Sequence, residues 1–189
     1  LELNLKGGTT IVQLREKSLA TKRFYQRAVA AKKLCVKYNI PLIINDRVDI
    51  ALAIDADGVH IGQGDMKSEQ AREMLGPDKV IGLTAFTEGH AKAIDPDIVD
   101  YIGTGPFYET KTDKGKPVLG AKRFSELAAL SPVPVVGIGG VTAENCADVI
   151  DAGADGVAMM RSISAAKDPE QAARAISNAV SQARLRKAS

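Results

Sequence analysis

The chain has 189 residues, 45% hydrophobic and 25% charged, near the average for a soluble globular protein. Its 25 Lys and Arg against 23 Asp and Glu leave a net charge of +2, which excludes a strongly basic nucleic-acid face; four Phe, four Tyr and no Trp exclude a base-stacking platform. No apolar run reaches membrane-spanning length, and no signal-peptide pattern opens the chain.

The chain starts at Leu1 without Met, which reads as a processed or truncated part of a longer protein. L-E-L-N-L-K-G-G reads as the tail of a helix and its loop. A strand follows over 9–15, where Thr9, Thr10, Ile11, Val12 and Leu14 suit an extended chain. Gln13, Arg15 and Lys17 take alternate positions, so they project from one face. Phe24, Ala28, Ala31 and Cys35 recur at helical spacing and predict a helix over 21–38. Further strands are predicted over 41–45, 58–62, 80–84, 99–104, 134–138 and 156–160. Helices are predicted over 46–54, 68–75, 87–94, 121–130 and 143–151, the last with Thr142 as N-cap. Asp168-Pro169-Glu170-Gln171 marks the start of a final helix over 169–185. The segments 53–62 and 151–160 share A-D-G-V, as a reused βα unit would.

Strands alternating with helices imply a parallel sheet in one domain over 1–189. A closed (β/α)8 barrel is favoured over an open sheet, because polar residues gather at the end of nearly every strand rather than at one switch point. Seven strands are counted, so the first strand of such a barrel would lie before Leu1. Cys35 and Cys146 lack the neighbours of a zinc site and read as buried reduced thiols, pointing to the cytoplasm. His60 and His90 read as packing or capping residues, and Met159 and Met160 as packing.

The strand ends carry the chemistry. Arg15 and Lys17 supply cations for an anion. Asp46 and Asp65 supply hard oxygen ligands, and a Mg²⁺ ion takes one or two carboxylates with water and phosphate oxygens. With Gln13 and Asn45 they fit a Mg²⁺–pyrophosphate site. Against this, Arg15 and Lys17 could pair with Glu16 on a solvated rim, and Asp46 could merely cap the next helix. A second anion site is read at 137–142 and 159–162, where Gly139 and Gly140 let backbone N–H groups approach a ligand.

Taken together, Q-L-R-E-K (Gln13 to Lys17), P-L-I-I-N-D, A-D-G-V-H-I-G-Q-G-D, G-P-F-Y-E-T-K-T, V-V-G-I-G-G-V-T and A-G-A-D-G-V resemble the thiamine-phosphate synthase (thiamine-phosphate pyrophosphorylase) family over essentially the whole chain. The resemblance implies a Mg²⁺-dependent transferase acting on two small phosphorylated substrates. It would couple an aminopyrimidine diphosphate to a thiazole phosphate, by loss of pyrophosphate and then capture of the pyrimidine carbocation. It implies that Gln13, Arg15 and Lys17 contact the pyrimidine diphosphate with Asn45 beside them, and that Leu14, Glu16 and Thr84 also belong to the substrate site; by strand alternation Glu16 points with the apolar set and orients its neighbours. Asp46 and Asp65 would ligate Mg²⁺. Thr110, Thr112 and Lys111 or Lys114 would hold the thiazole phosphate, completed by Gly140, Met160 and Arg161. Arg15, Lys17, Asn45, Thr84 and Lys114 would act in catalysis.

Three positions depart from the family. Thr84 replaces a usual Ser, Asp113 follows Thr112 where Lys is usual, and Arg161 replaces a small Ser. Two alternatives stay open: a thiazole tautomerase-like isomerase, and a non-catalytic barrel binding a phosphorylated metabolite. Loop 106–118 reads as a lid, and the sequence leaves a homo-oligomer open.

Overall fold

The computed structural model describes residues 1–110 and 117–188. A short helix α1 (Glu2–Lys6) precedes strand β1 (Val12–Leu14). The chain then alternates: α2 (Thr21–Lys37), β2 (Leu42–Asn45), α3 (Val48–Ala53), β3 (Gly58–Ile61), α4 (Ser68–Leu75) and β4 (Val80–Thr84). It continues with α5 (Glu88–Lys92), β5 (Tyr101–Thr104), α6 (Gly120–Leu130), β6 (Val135–Ile138), α7 (Cys146–Asp151) and β7 (Gly156–Ala158), and ends in α8 (Arg161–Ser164) and α9 (Pro169–Ala188). The strands form one seven-stranded parallel sheet in the order β1-β2-β3-β4-β5-β6-β7. Each neighbour is also the next strand in sequence, so every crossover runs one step in one direction. All strand C-termini therefore lie along one edge.

Helices cover one face of the sheet. Val12, Phe24, Ala28, Leu42, Ile44 and Val59 belong to one buried cluster, and Ile102, Phe124, Val135, Val149 and Ile150 to a second, with Leu83 packed against both. Leu42, Ile43 and Ile44 have no exposed surface, and each such side chain contributes about 1.5–3 kcal/mol by leaving water. This explains why "LII" reads as a continuous apolar run rather than an alternating one.

The A-D-G-V echo has a mechanical cause at the opposite edge. Asp57 and Asp155 directly precede β3 and β7, and each carboxylate accepts the N–H of the first residue of the preceding strand, Leu42 and Val135, both at 2.8 Å. Asp100 plays the same part before β5, accepting from Ile81, the second residue of β4, at 2.7 Å. Each Asp returns its own N–H to that residue's carbonyl, at 3.0, 2.8 and 2.8 Å for Asp57, Asp100 and Asp155. The repeated Asp is thus a clasp between strand starts.

Several boundaries differ from expectation. β1 covers Val12–Leu14 rather than 9–15, because the Thr9 hydroxyl turns back to the Asn4 carbonyl at 2.9 Å. α3 begins at Val48, because Asp46 adopts a left-handed backbone (φ 63°) that a helix cannot include. α7 begins at Cys146, so Thr142 is not its N-cap; the Asn145 side chain instead accepts the Thr142 N–H at 2.7 Å. β7 ends at Ala158, and α8 was not anticipated. Asp168 does open α9, accepting the Gln171 N–H at 3.0 Å. No described helix is long and apolar enough to cross a membrane.

Candidate active site

A cavity of about 590 Å³ opens where the strand C-termini meet. It is lined by Gln13, Arg15 and Lys17 from β1 and its loop, by Asn45 and Asp46 after β2, and by Asp65 after β3. Thr84, Thr110, Gly140, Met160 and Arg161 line the rest. Leu14 and Glu16, expected in the substrate site, are not in that lining. Leu14 packs against the core, and Glu16 accepts from Arg27 on α2. The period of an extended strand decides this, since odd and even positions leave opposite faces. Glu16 therefore anchors the β1 loop to the helix layer and leaves Arg15 unpaired: among the described residues Arg15 makes no ion pair. Lys111, Thr112, Asp113 and Lys114, and with them the middle of the expected lid, lie outside the described residues.

Asp46 and Asp65 converge. Lys17 pairs with the Asp46 carboxylate. Asp65 accepts the Gly62 N–H at 2.7 Å. Burial, with the Asp46 carboxylate adding to it, holds the Asp65 carboxyl above its usual range. Two oxygen-rich groups that repel each other beside a single ammonium form a donor set suited to a small hard cation. No cluster of three or more His, Cys, Asp or Glu able to hold a metal occurs among the described residues, so an ion here would take two carboxylates and complete its shell from substrate and water. Asp46 does not cap α3, whose N-cap Arg47 makes no side-chain cap bond.

The glycine turn after β6 has two jobs. Gly139 and Gly140 have φ of 99° and 67°, which other residues rarely adopt. A Cβ on Gly140 would also come within 2.6 Å of the Glu109 carbonyl oxygen. The turn is therefore pressed against the loop after β5, and both loops reach the cavity. The Asn145 amide donates to the Gly140 carbonyl at 3.0 Å, and the Ser162 hydroxyl to the Val141 carbonyl at 2.5 Å. These bonds tie the turn to the N-cap of α7 and to the start of α8, where Arg161 stands.

His60 and Tyr101 are among the lining residues that the sequence did not point to. His60 is buried between Tyr101 and Thr84, its Nδ1 3.0 Å from the Tyr101 hydroxyl and its Nε2 3.0 Å from Thr84 Oγ1. Burial pushes its pKa down to about 4, so the imidazole is neutral. Burial likewise raises Tyr101 to about 12. The signal was present in Gly82 and Gly103, single glycines inside strands that make room for large neighbours.

Relatives share this arrangement of chain. A family model described as thiamine monophosphate synthase matches residues 1–163. The thiamine-phosphate synthase of Methanobrevibacter smithii is 46% identical over 170 residues, covering 90% of this chain and 81% of the relative. That of Xanthobacter autotrophicus is 50% identical over 182 residues, covering 95% and 86%. The solved thiamine phosphate pyrophosphorylase of Pyrococcus furiosus superposes with a TM-score of 0.88 at 31% identity, covering 96% of this chain and 88% of the other.

Proposed function

The chain belongs to the thiamine monophosphate synthase family, and we propose that its cavity carries out that family's reaction. The reaction couples 4-amino-2-methyl-5-hydroxymethylpyrimidine diphosphate to 4-methyl-5-(2-phosphoethyl)thiazole, giving thiamine phosphate and pyrophosphate. The supporting observation is that one cavity holds both a cation–carboxylate cluster, Arg15, Lys17, Asp46 and Asp65, and the glycine turn at Gly139 and Gly140. Each half suits one anionic substrate end. A thiazole isomerase would need only the second half.

In this reading the bond between the pyrimidine methylene carbon and the diphosphate oxygen breaks first, the electron pair leaving on oxygen. The thiazole nitrogen then gives its lone pair to the carbon. No protein nucleophile is required, so the side chains act by placement and charge. Arg15 and Lys17 face the leaving diphosphate, and Asn45, on the floor beside them, holds its register. Asp46 and Asp65 would hold Mg²⁺, which when bound there neutralises charge on the departing group. With that ion present, Lys17 is free to turn from Asp46 to phosphate. Gly140, Thr110, Met160 and Arg161 frame the thiazole phosphate.

The same reading makes the seven strands part of a (β/α)8 barrel, in which an eighth strand would join β1 to β7. Incubating the protein with both substrates should release pyrophosphate only when Mg²⁺ is added. Absence of release with both substrates and Mg²⁺ would overturn the synthase reading; equal release with a chelator would overturn the metal assignment.

A further inference from the structure

Beneath the charged cluster, four polar side chains from four strands form one hydrogen-bonded row. Gln13 on β1 bonds the Tyr101 hydroxyl on β5. That hydroxyl lies 3.0 Å from His60 Nδ1 on β3, and His60 Nε2 lies 3.0 Å from Thr84 Oγ1 on β4. The row is built into the packing. A Cβ on Gly82 would come within 2.2 Å of Tyr101 Cζ and 2.5 Å of His60 Nδ1, and one on Gly103 within 2.9 Å of His60 Cε1. Two strands thus give up their side chains to seat these rings.

A neutral imidazole donates at one nitrogen and accepts at the other, so the row has two possible directions. In one, the Gln13 amide N–H donates to the Tyr101 oxygen, the Tyr101 O–H to Nδ1, and Nε2–H to Thr84. In the other every bond is reversed. The first is selected by the ring itself, since proton on Nε2 is the intrinsically favoured neutral form of histidine.

We propose that His60 is a positioning residue that fixes this direction, so that Gln13 presents its carbonyl oxygen and Thr84 its hydroxyl proton to the ring of the aminopyrimidine. Both ends of the row line the cavity. An aminopyrimidine carries the complement: an amino donor on one edge and a ring-nitrogen acceptor opposite. The proposal rests on the synthase reading for its ligand but not for its hydrogen-bond direction.

Long-range ¹H–¹⁵N correlation spectra of the ligand-free protein report the tautomer of each of its two histidines, with His90→Gln used for assignment. His60 is expected with its proton on Nε2; a proton on Nδ1 would overturn the direction. In steady-state kinetics, His60→Leu should raise KM for the pyrimidine diphosphate about tenfold and leave KM for the thiazole phosphate unchanged. His60→Gln, which keeps one donor and one acceptor, should recover most of the loss. Equal changes for both substrates, no change, or no recovery by Gln would refute the positioning role. A wild-type protein that releases no pyrophosphate sinks the synthase reading instead, while the spectra still judge the row.

Discussion

Asp46 is placed under opposing demands. Its φ of 63° is a left-handed conformation that costs most residues about 1–2 kcal/mol, and Asp and Asn tolerate it best. Its N–H is fixed by the His60 carbonyl at 2.8 Å, so the backbone cannot relax. The turn aims the carboxylate at Lys17 and toward Asp65. Asp46→Asn keeps the tolerance and removes the charge. It should fold as the parent does and lose about two to three orders of magnitude in kcat, the scale of one lost electrostatic contact in a transition state. Asp46→Val should lose activity and also melt earlier. Thermal unfolding and pyrophosphate release read both, and unchanged turnover in Asp46→Asn would remove the residue from the proposed metal site. At this scale the sequence was legible wherever local periodicity speaks. Gln13, Arg15 and Lys17 share the cavity face because a strand has period two. His60 was not legible, because its importance comes from Tyr101 and Thr84, 41 and 24 residues away.

At the level of elements, the Asp clasps separate stability from chemistry. They sit at the strand starts, while the cavity sits at the strand ends, the usual division in barrels. For Asp57, burial pushes the carboxyl up, but the Leu42 N–H and the Lys32 ammonium outweigh it and hold the group below its usual value. A depressed folded pKa means stability that is complete above the unfolded value and lost as pH falls through the folded one. Asp57→Asn should therefore cost about 1 kcal/mol near neutral pH, given partial exposure, or about 2–4 °C in Tm for a chain this long. The Tm gap to the parent should close as pH falls below about 4, and KM for both substrates should not move. A gap constant with pH would show that shape rather than charge makes the clasp. Element positions followed from apolar runs and caps. Element ends did not, because they are set by exceptions: the left-handed Asp46 shortens α3, and α8, four residues long, has no period to detect.

Across the whole molecule, the sheet is stitched strand to strand, but its two outer strands are not paired with each other among the described residues. The helix layer makes the connection instead. α1 packs on α9, joining the first and last helices of the described chain. Gly7 is the point of closest approach: a Cβ there would come within 2.4 Å of the Glu170 carbonyl oxygen and 2.6 Å of Ala173 Cβ. Gly8, at φ 97°, turns the chain away toward β1, and Arg174 reaches the Lys6 carbonyl at 3.4 Å. In the sequence, G-G after L-E-L-N-L-K reads only as a loop, since nothing local reveals a helix 160 residues later. The parallel sheet with its shared mouth was readable, because apolar runs alternate with helical periods and polar residues gather at the strand ends; this seam was not, because it depends on two backbones touching. The backbone atoms facing Gly7 cannot swing aside as a side chain could, so Gly7→Ala must separate the helices. Overpacking of that kind costs about 1–3 kcal/mol, about 2–12 °C in Tm at this chain length. The seam shares no residue with the cavity lining, so KM for both substrates should hold at temperatures where the variant is folded. Limited proteolysis should cut the variant sooner between α1 and β1 than the parent. An unchanged Tm and an unchanged digestion rate would mean that α1 does not close the ring of helices, and that the sheet alone holds the mouth of the site in shape.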